Sequence, residues 1–132
     1  MTVELDYAYL AQFARVDPDG TLTALNASFL RLIADPGAGV SLAVAGRIRF
    51  LSEPYEADLA VAFRSPSGGR LDFVTHVRAE EPTTYADTRR HVLFALNTTV
   101  VSEQGEYVVE ISIDNVAVRT LIVTISHPSP EE

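Results

Sequence analysis

Residues 40–50 alternate without a break. Val40, Leu42, Val44, Ile48 and Phe50 fall on one side, with Gly46 in the series. Ser41, Ala43, Ala45, Arg47 and Arg49 fall on the other. A period of two over eleven residues fits a pleated strand with one buried face and excludes an amphipathic helix, whose apolar positions recur every three or four residues. A strand this long needs partners, so the rest of the chain must supply a sheet and a second layer to cover it.

The same period recurs along the chain. Ala57, Leu59, Val61 and Phe63 alternate with Glu56, Asp58 and Arg64. Leu71, Phe73, Thr75 and Val77 are expected inward, with Arg70, Asp72, His76 and Arg78 outward. Residues from about 90 to 101 place Val92, Phe94 and Leu96 inward. Tyr107, Val109, Ile111 and Ile113 share one face, and Val116 to Ile125 form the last strand. Between these runs lie the residues that turns require: Asp35-Pro36-Gly37, Ser52-Glu53-Pro54, Ser65 to Gly69, Glu103-Gln104-Gly105, and Asp114-Asn115 as a two-residue type I′ turn. Residues 81–89 are polar, contain Pro82, and read as a longer loop.

The region from Leu5 to Ile33 is expected to form a long hairpin. Its first arm is compatible with a helix by Leu5, Tyr9, Phe13 and Val16, and with a strand by Leu5, Tyr7, Tyr9, Ala11 and Phe13. The alternating aromatics favour the strand. Asp17-Pro18-Asp19-Gly20 closes the hairpin as a type I turn, and Asn26 in the second arm marks a bulge, because asparagine tolerates positive φ.

These signals define an all-β chain, a two-sheet antiparallel immunoglobulin-like β-sandwich of about eight strands. The sandwich spans residues 1–126 as one domain, and residues 127–132 form a flexible acidic tail. Gly105-Glu106-Tyr107 resembles the tyrosine corner of immunoglobulin-like Greek keys, in which the tyrosine hydroxyl bonds back to the backbone. Glu103 stands where Asp is common, Val109 stands where antibody domains carry cysteine, and the chain has no tryptophan. With 132 residues and 47% apolar content it can bury a core of its own.

The pattern as a whole resembles an uncharacterised bacterial family, of actinobacterial cast, known only as a domain of unknown function. The resemblance rests on Asp6-Tyr7-Ala8 through Phe29, on Val44-Ala45-Gly46-Arg47-Ile48, and on Gly105-Glu106-Tyr107 through Ile113-Asp114-Asn115. It implies a fold of this kind, with glycine often replacing Asn26 and Asn115. It implies no activity, cofactor or site residue.

Chemistry is sparse. The chain has no cysteine, so disulfides, thiolate metal sites and thiol nucleophiles are excluded. Its net charge is −8, and all 10 basic residues are arginine, a coding bias of high-GC bacterial genomes. An acidic balance argues against nucleic acid and anionic membrane surfaces as partners. The N-terminus has neither a basic region nor a long apolar run, which points to a cytoplasmic protein. His76, His91 and His127 lack metal-ligand spacing, although His76 and His91 would approach if their strands were neighbours. Asp17 and Asp19 suit a calcium loop less well than a bare turn. No Gly-x-Ser-x-Gly elbow is present, and the glycosylation sequons at Asn26 and Asn97 carry no meaning without export.

The expected function is therefore non-enzymatic and cofactor-free: a protein-interaction or scaffold module, with a protein partner or self-association. The candidate interface is the outward face of residues 41–49: Ser41, Ala43 and Ala45 are small enough to accept another surface, and Arg47 and Arg49 can anchor it. The competing expectation is that the first arm of the chain covers this face. The alternative function is a small-molecule or carbohydrate binder using the loop aromatics Tyr55 and Tyr85. A hydrolase with an unrecognised site ranks third.

Overall fold

A computed structural model describes residues 3–79 and 90–129. It contains ten strands: β1 (Val3–Ala11), β2 (Phe13–Val16), β3 (Leu22–Leu25), β4 (Arg31–Ile33), β5 (Gly39–Phe50), β6 (Glu56–Arg64), β7 (Arg70–Arg78), β8 (Arg90–Val101), β9 (Gly105–Ile113) and β10 (Val116–Ser126). They form a three-stranded sheet ordered β1-β5-β8, a five-stranded sheet ordered β4-β10-β9-β6-β7, and the β2–β3 hairpin. All pairings are antiparallel except β4 with β10. Among the described residues no helix is long and apolar enough to cross a membrane.

The alternating patterns predict the core well. Val40, Leu42, Val44, Ile48 and Phe50 are all buried, as are Ala57, Leu59, Val61 and Phe63 on β6 and Tyr107, Val109, Ile111 and Ile113 on β9. They meet between the two larger sheets with Val123 and Ile125 of β10. β7 departs from expectation. Only Val77 of its inward set is buried and Leu71 is exposed, because among the described residues β7 is the last strand of its sheet and has a neighbour on one side only.

The first arm is not one strand. β1 carries a bulge between Leu5 and Tyr7, so Asp6 is an extra residue against β5. The extra residue inverts the alternation downstream. Val3, Leu5, Ala8 and Leu10 join the main core, whereas Tyr7, paired with Arg47, and Tyr9, paired with Ala45, take the opposite face. The expected common face of Leu5, Tyr7 and Tyr9 is therefore split. At Gln12 the chain leaves the sheet and folds back as β2–β3, the Gln12 N–H donating to the Leu25 carbonyl at 3.0 Å. The second arm is likewise divided. Asn26 takes the predicted positive φ of 50°, but it lies just past the end of β3 and not in a bulge within a strand. Ser28 is also positive at 64°, and the chain then crosses to pair with β10 as β4.

Gly46 is required by close approach. A Cβ there would lie 2.2 Å from the Tyr7 carbonyl oxygen and 2.9 Å from the Phe94 ring. The bulged β1 pairs with β5 at this position and brings the Tyr7 carbonyl against it.

Candidate interaction surfaces

The outward face of β5 is divided in two by the chain itself. Ala43 and Ala45 are fully buried. With Ala11 and Ala14 they form a second, small-residue core, packed by Tyr9, Leu22, Ala24 and Ala95. The β2–β3 hairpin lies on this face because small side chains leave room for a backbone to approach. Asn97 of β8 fastens it there: its carboxamide accepts from the Ala14 N–H at 3.1 Å and donates to the Ala14 carbonyl at 2.8 Å, as a neighbouring strand would. Ala43 and Ala45 are thus corrected from interface to interior, and the Asn97 sequon amide is engaged in this tie. Ser41 stays exposed and lines a hollow of about 420 Å³ with Gln12, Ile33 and Gly39.

The other half of the face keeps its charge. Arg47 binds Asp6 through Nε at 2.7 Å and again through its Nη2. Arg49 binds Glu4 and lies 3.8 Å from Asp6. The Arg47 hydrogen bond holds the Asp6 carboxyl below its ordinary value, against the opposing effect of desolvation. The Arg47 guanidinium also stands 5.2 Å from the centre of the Tyr7 ring, which stacks on Tyr9 at 6.3 Å with nearly parallel planes. The two arginines therefore have partners within the chain, supplied by the bulged strand.

The remaining candidates separate. His76 lies on β7 and His91 on β8, in different sheets, so they are not strand neighbours. His76 Nδ1 lies 2.9 Å from Asp58 and Nε2 lies 3.6 Å from Glu56, both across the β6–β7 pair. The Asp58 hydrogen bond raises the His76 pKa, with desolvation opposing it and Glu56 adding to it. Among the described residues no three His, Asp or Glu side chains are grouped as a metal site would group them. Asp17 accepts from Arg15, Thr21 and Thr23, and Asp19 from Thr21, so the Asp-Pro-Asp-Gly turn employs its carboxylates locally. Tyr55 sits at φ 59° with the Arg90 guanidinium 3.8 Å from its ring centre. Tyr85 lies outside the described residues.

Tyr107 makes the expected backbone bonds. Its hydroxyl accepts from the Glu103 N–H at 2.8 Å and donates to the Val101 carbonyl. Beside it a cavity of about 260 Å³ opens between the ends of β7 and β8, floored by Phe63, Leu71, Val100 and Tyr107, with Arg70 and Glu103 among its lining. A hydrogen bond from Ser67 holds the Glu103 carboxyl below its ordinary value.

Sequence patterning missed a larger apolar feature. Between β1 and β10 runs a groove of about 450 Å³ lined by Tyr9, Leu10, Phe29, Leu30, Leu121 and Ile122. Leu30 on its rim is 80% exposed, and Ile33 is 71% exposed. The signal was the dense run Phe29-Leu30-Arg31-Leu32-Ile33, in which more apolar residues occur than one strand face can bury.

The fold and its surfaces define an all-β protein with several antiparallel sheets. Residues 6–126 match the family of unknown function DUF6941, and the chain belongs to that family. No curated protein matches it.

Proposed function

We propose that this protein is a non-enzymatic protein-interaction module, built on an immunoglobulin-like sandwich and working in the cytoplasm of a bacterium of actinobacterial type. The Tyr107 bonds at the β8–β9 connection support the immunoglobulin-like reading, as does the facing of a β1-β5-β8 sheet by a β10-β9-β6-β7 sheet. Its partner is a protein rather than nucleic acid or membrane, in keeping with the net charge of −8.

One observation carries the reading: the groove between β1 and β10, rimmed by the exposed Leu30 and Ile122. Leucine and isoleucine left in water beside an apolar groove mark a surface built for contact. Leu30→Glu, introduced at an exposed position, leaves the fold intact and puts a charge on the rim. Affinity capture from the native host is expected to retain a partner with the wild-type chain and lose it with Leu30→Glu. Identical captured sets would sink the proposal.

A second reading, a small-molecule binder, draws on the 260 Å³ cavity, whose apolar floor and flanking Glu103 and Arg70 suit a small zwitterionic or amphipathic ligand. Thermal-shift screening of wild type against Leu71→Trp, which fills the cavity, tests it. A ligand that stabilises both chains equally does not bind there.

A further inference from the structure

We infer that β7 is a self-association edge, at which a second copy of the chain pairs antiparallel with β7 about a two-fold axis at Thr75. The inference concerns the edge of the five-stranded sheet opposite to β4 and stands independently of the groove described above.

β7 pairs with β6 through nine consecutive positions, Arg70 to Arg78, without a bulge or register shift. It contains no proline and no inward-pointing charge. Soluble proteins blunt exposed edge strands with these devices and with charged side chains, since a long regular edge is a template for another strand. Of the set β7 carries only outward charges, Arg70, Asp72 and Arg78. Here Val74, in the middle of the edge strand, is 71% exposed, and Leu71 is 44% exposed. Among the described residues β6 is the only strand bonded to β7.

The order of charges selects the occupant. With the axis at Thr75, Asp72 stands opposite the partner's Arg78, and Arg78 opposite the partner's Asp72. Val74 then faces the partner's His76 on the same outward side. On the inward side Phe73 faces the partner's Val77, and Thr75 faces its own copy. No like charges meet. An axis one residue earlier, at Val74, sets Arg70 against the partner's Arg78, which like-charge repulsion disfavours. Of these two registers only the axis at Thr75 keeps like charges apart. There two five-stranded sheets become continuous through backbone hydrogen bonds and two reciprocal ion pairs, with each Asp72 shared between the partner's Arg78 and its own Arg70 at 2.8 Å. An interface of one strand pair falls at the small end of specific contacts, so the dimer is concentration-dependent.

Sedimentation velocity over a concentration series tests the assignment. Asp72 and Arg78 are both exposed, so Asp72→Arg, which loses the Arg70 ion pair, and Arg78→Asp, which sets an aspartate opposite Glu56 within the chain, are expected to keep the wild-type circular dichroism and to shift the melting profile only slightly. Each single variant places like charges opposite each other twice and is expected to weaken the dimer about tenfold or more. The double variant D72R/R78D restores opposite charges and is expected to recover dimerisation. A wild-type chain that stays monomeric at every concentration overturns the inference. So does a dimer indifferent to both single substitutions, or a double variant that fails to recover it.

Discussion

The Tyr107 hydroxyl offers the sharpest test of how this chain holds its β8–β9 connection. Tyr107→Phe keeps the ring, which is fully packed in the core, and deletes one oxygen. That oxygen joins the Glu103 N–H to the Val101 carbonyl, closing the turn between two long strands. Burial raises the Tyr107 pKa, so the hydroxyl remains a protonated donor at neutral pH. Two backbone groups lose their partner at once. Each unsatisfied buried group costs about 1–3 kcal/mol, and water reaches this connection in part, so the loss is set at roughly 2–3 kcal/mol. For a domain of this length about 3–4 °C of Tm accompanies each kcal/mol, giving a fall of roughly 6–12 °C. Urea unfolding monitored by circular dichroism reads the same change as a lower midpoint with an unchanged slope. A fall in Tm below about 2 °C would refute the reasoning, because it would mean that the hydroxyl bonds are replaced by water without cost.

Other consequences follow from the same geometry. Asn97→Ala removes both bonds to Ala14 and is expected to cost about 1–2 kcal/mol, with amide exchange accelerated in residues 13–25 more than in β5 or β9; uniform acceleration would contradict a local tie. Gly46→Ala drives a Cβ into the Tyr7 carbonyl, which belongs to backbone and cannot swing aside, so a loss at or above the ~3 kcal/mol upper end for overpacked sites is expected by chemical denaturation. The pKa of His76 is raised above its ordinary 6.5 by the Asp58 hydrogen bond. Its contribution to stability is thus complete below the unfolded value and fades as pH rises through the folded one. An NMR titration should give a lower midpoint for His76 in Asp58→Asn than in wild type, and equal midpoints would remove Asp58 as the cause.

Much of the architecture was legible in local pattern. Alternation in β5, β6 and β9 named the core residues, because a pleated strand must turn successive side chains to opposite faces whatever lies beside it. Asp114 and Asn115 take φ of 48° and 67°, the two positive values a type I′ turn needs. Tyr107 was identifiable from its place after Gly105. The candidate interface was legible only halfway. Alternation shows that Ala43 and Ala45 share a face with Arg47 and Arg49, but it is silent on what covers that face.

The sequence by itself determined that this chain is all-β, where most strands and turns lie, and which residues of the regular strands meet in the core. Those follow from steric rules acting over a few residues. Tertiary structure alone decided the fate of residues 5–33. One extra residue at Asp6 inverts the alternation of β1, β2–β3 folds over the alanines of β5, and β4 runs parallel to β10 some ninety residues away. Each depends on contacts between segments distant in the chain, where room left by small side chains and the free edges of other strands settle the pairing. The groove beside Leu30 arises in the same way, as a surface that exists only once the sheets have closed on each other.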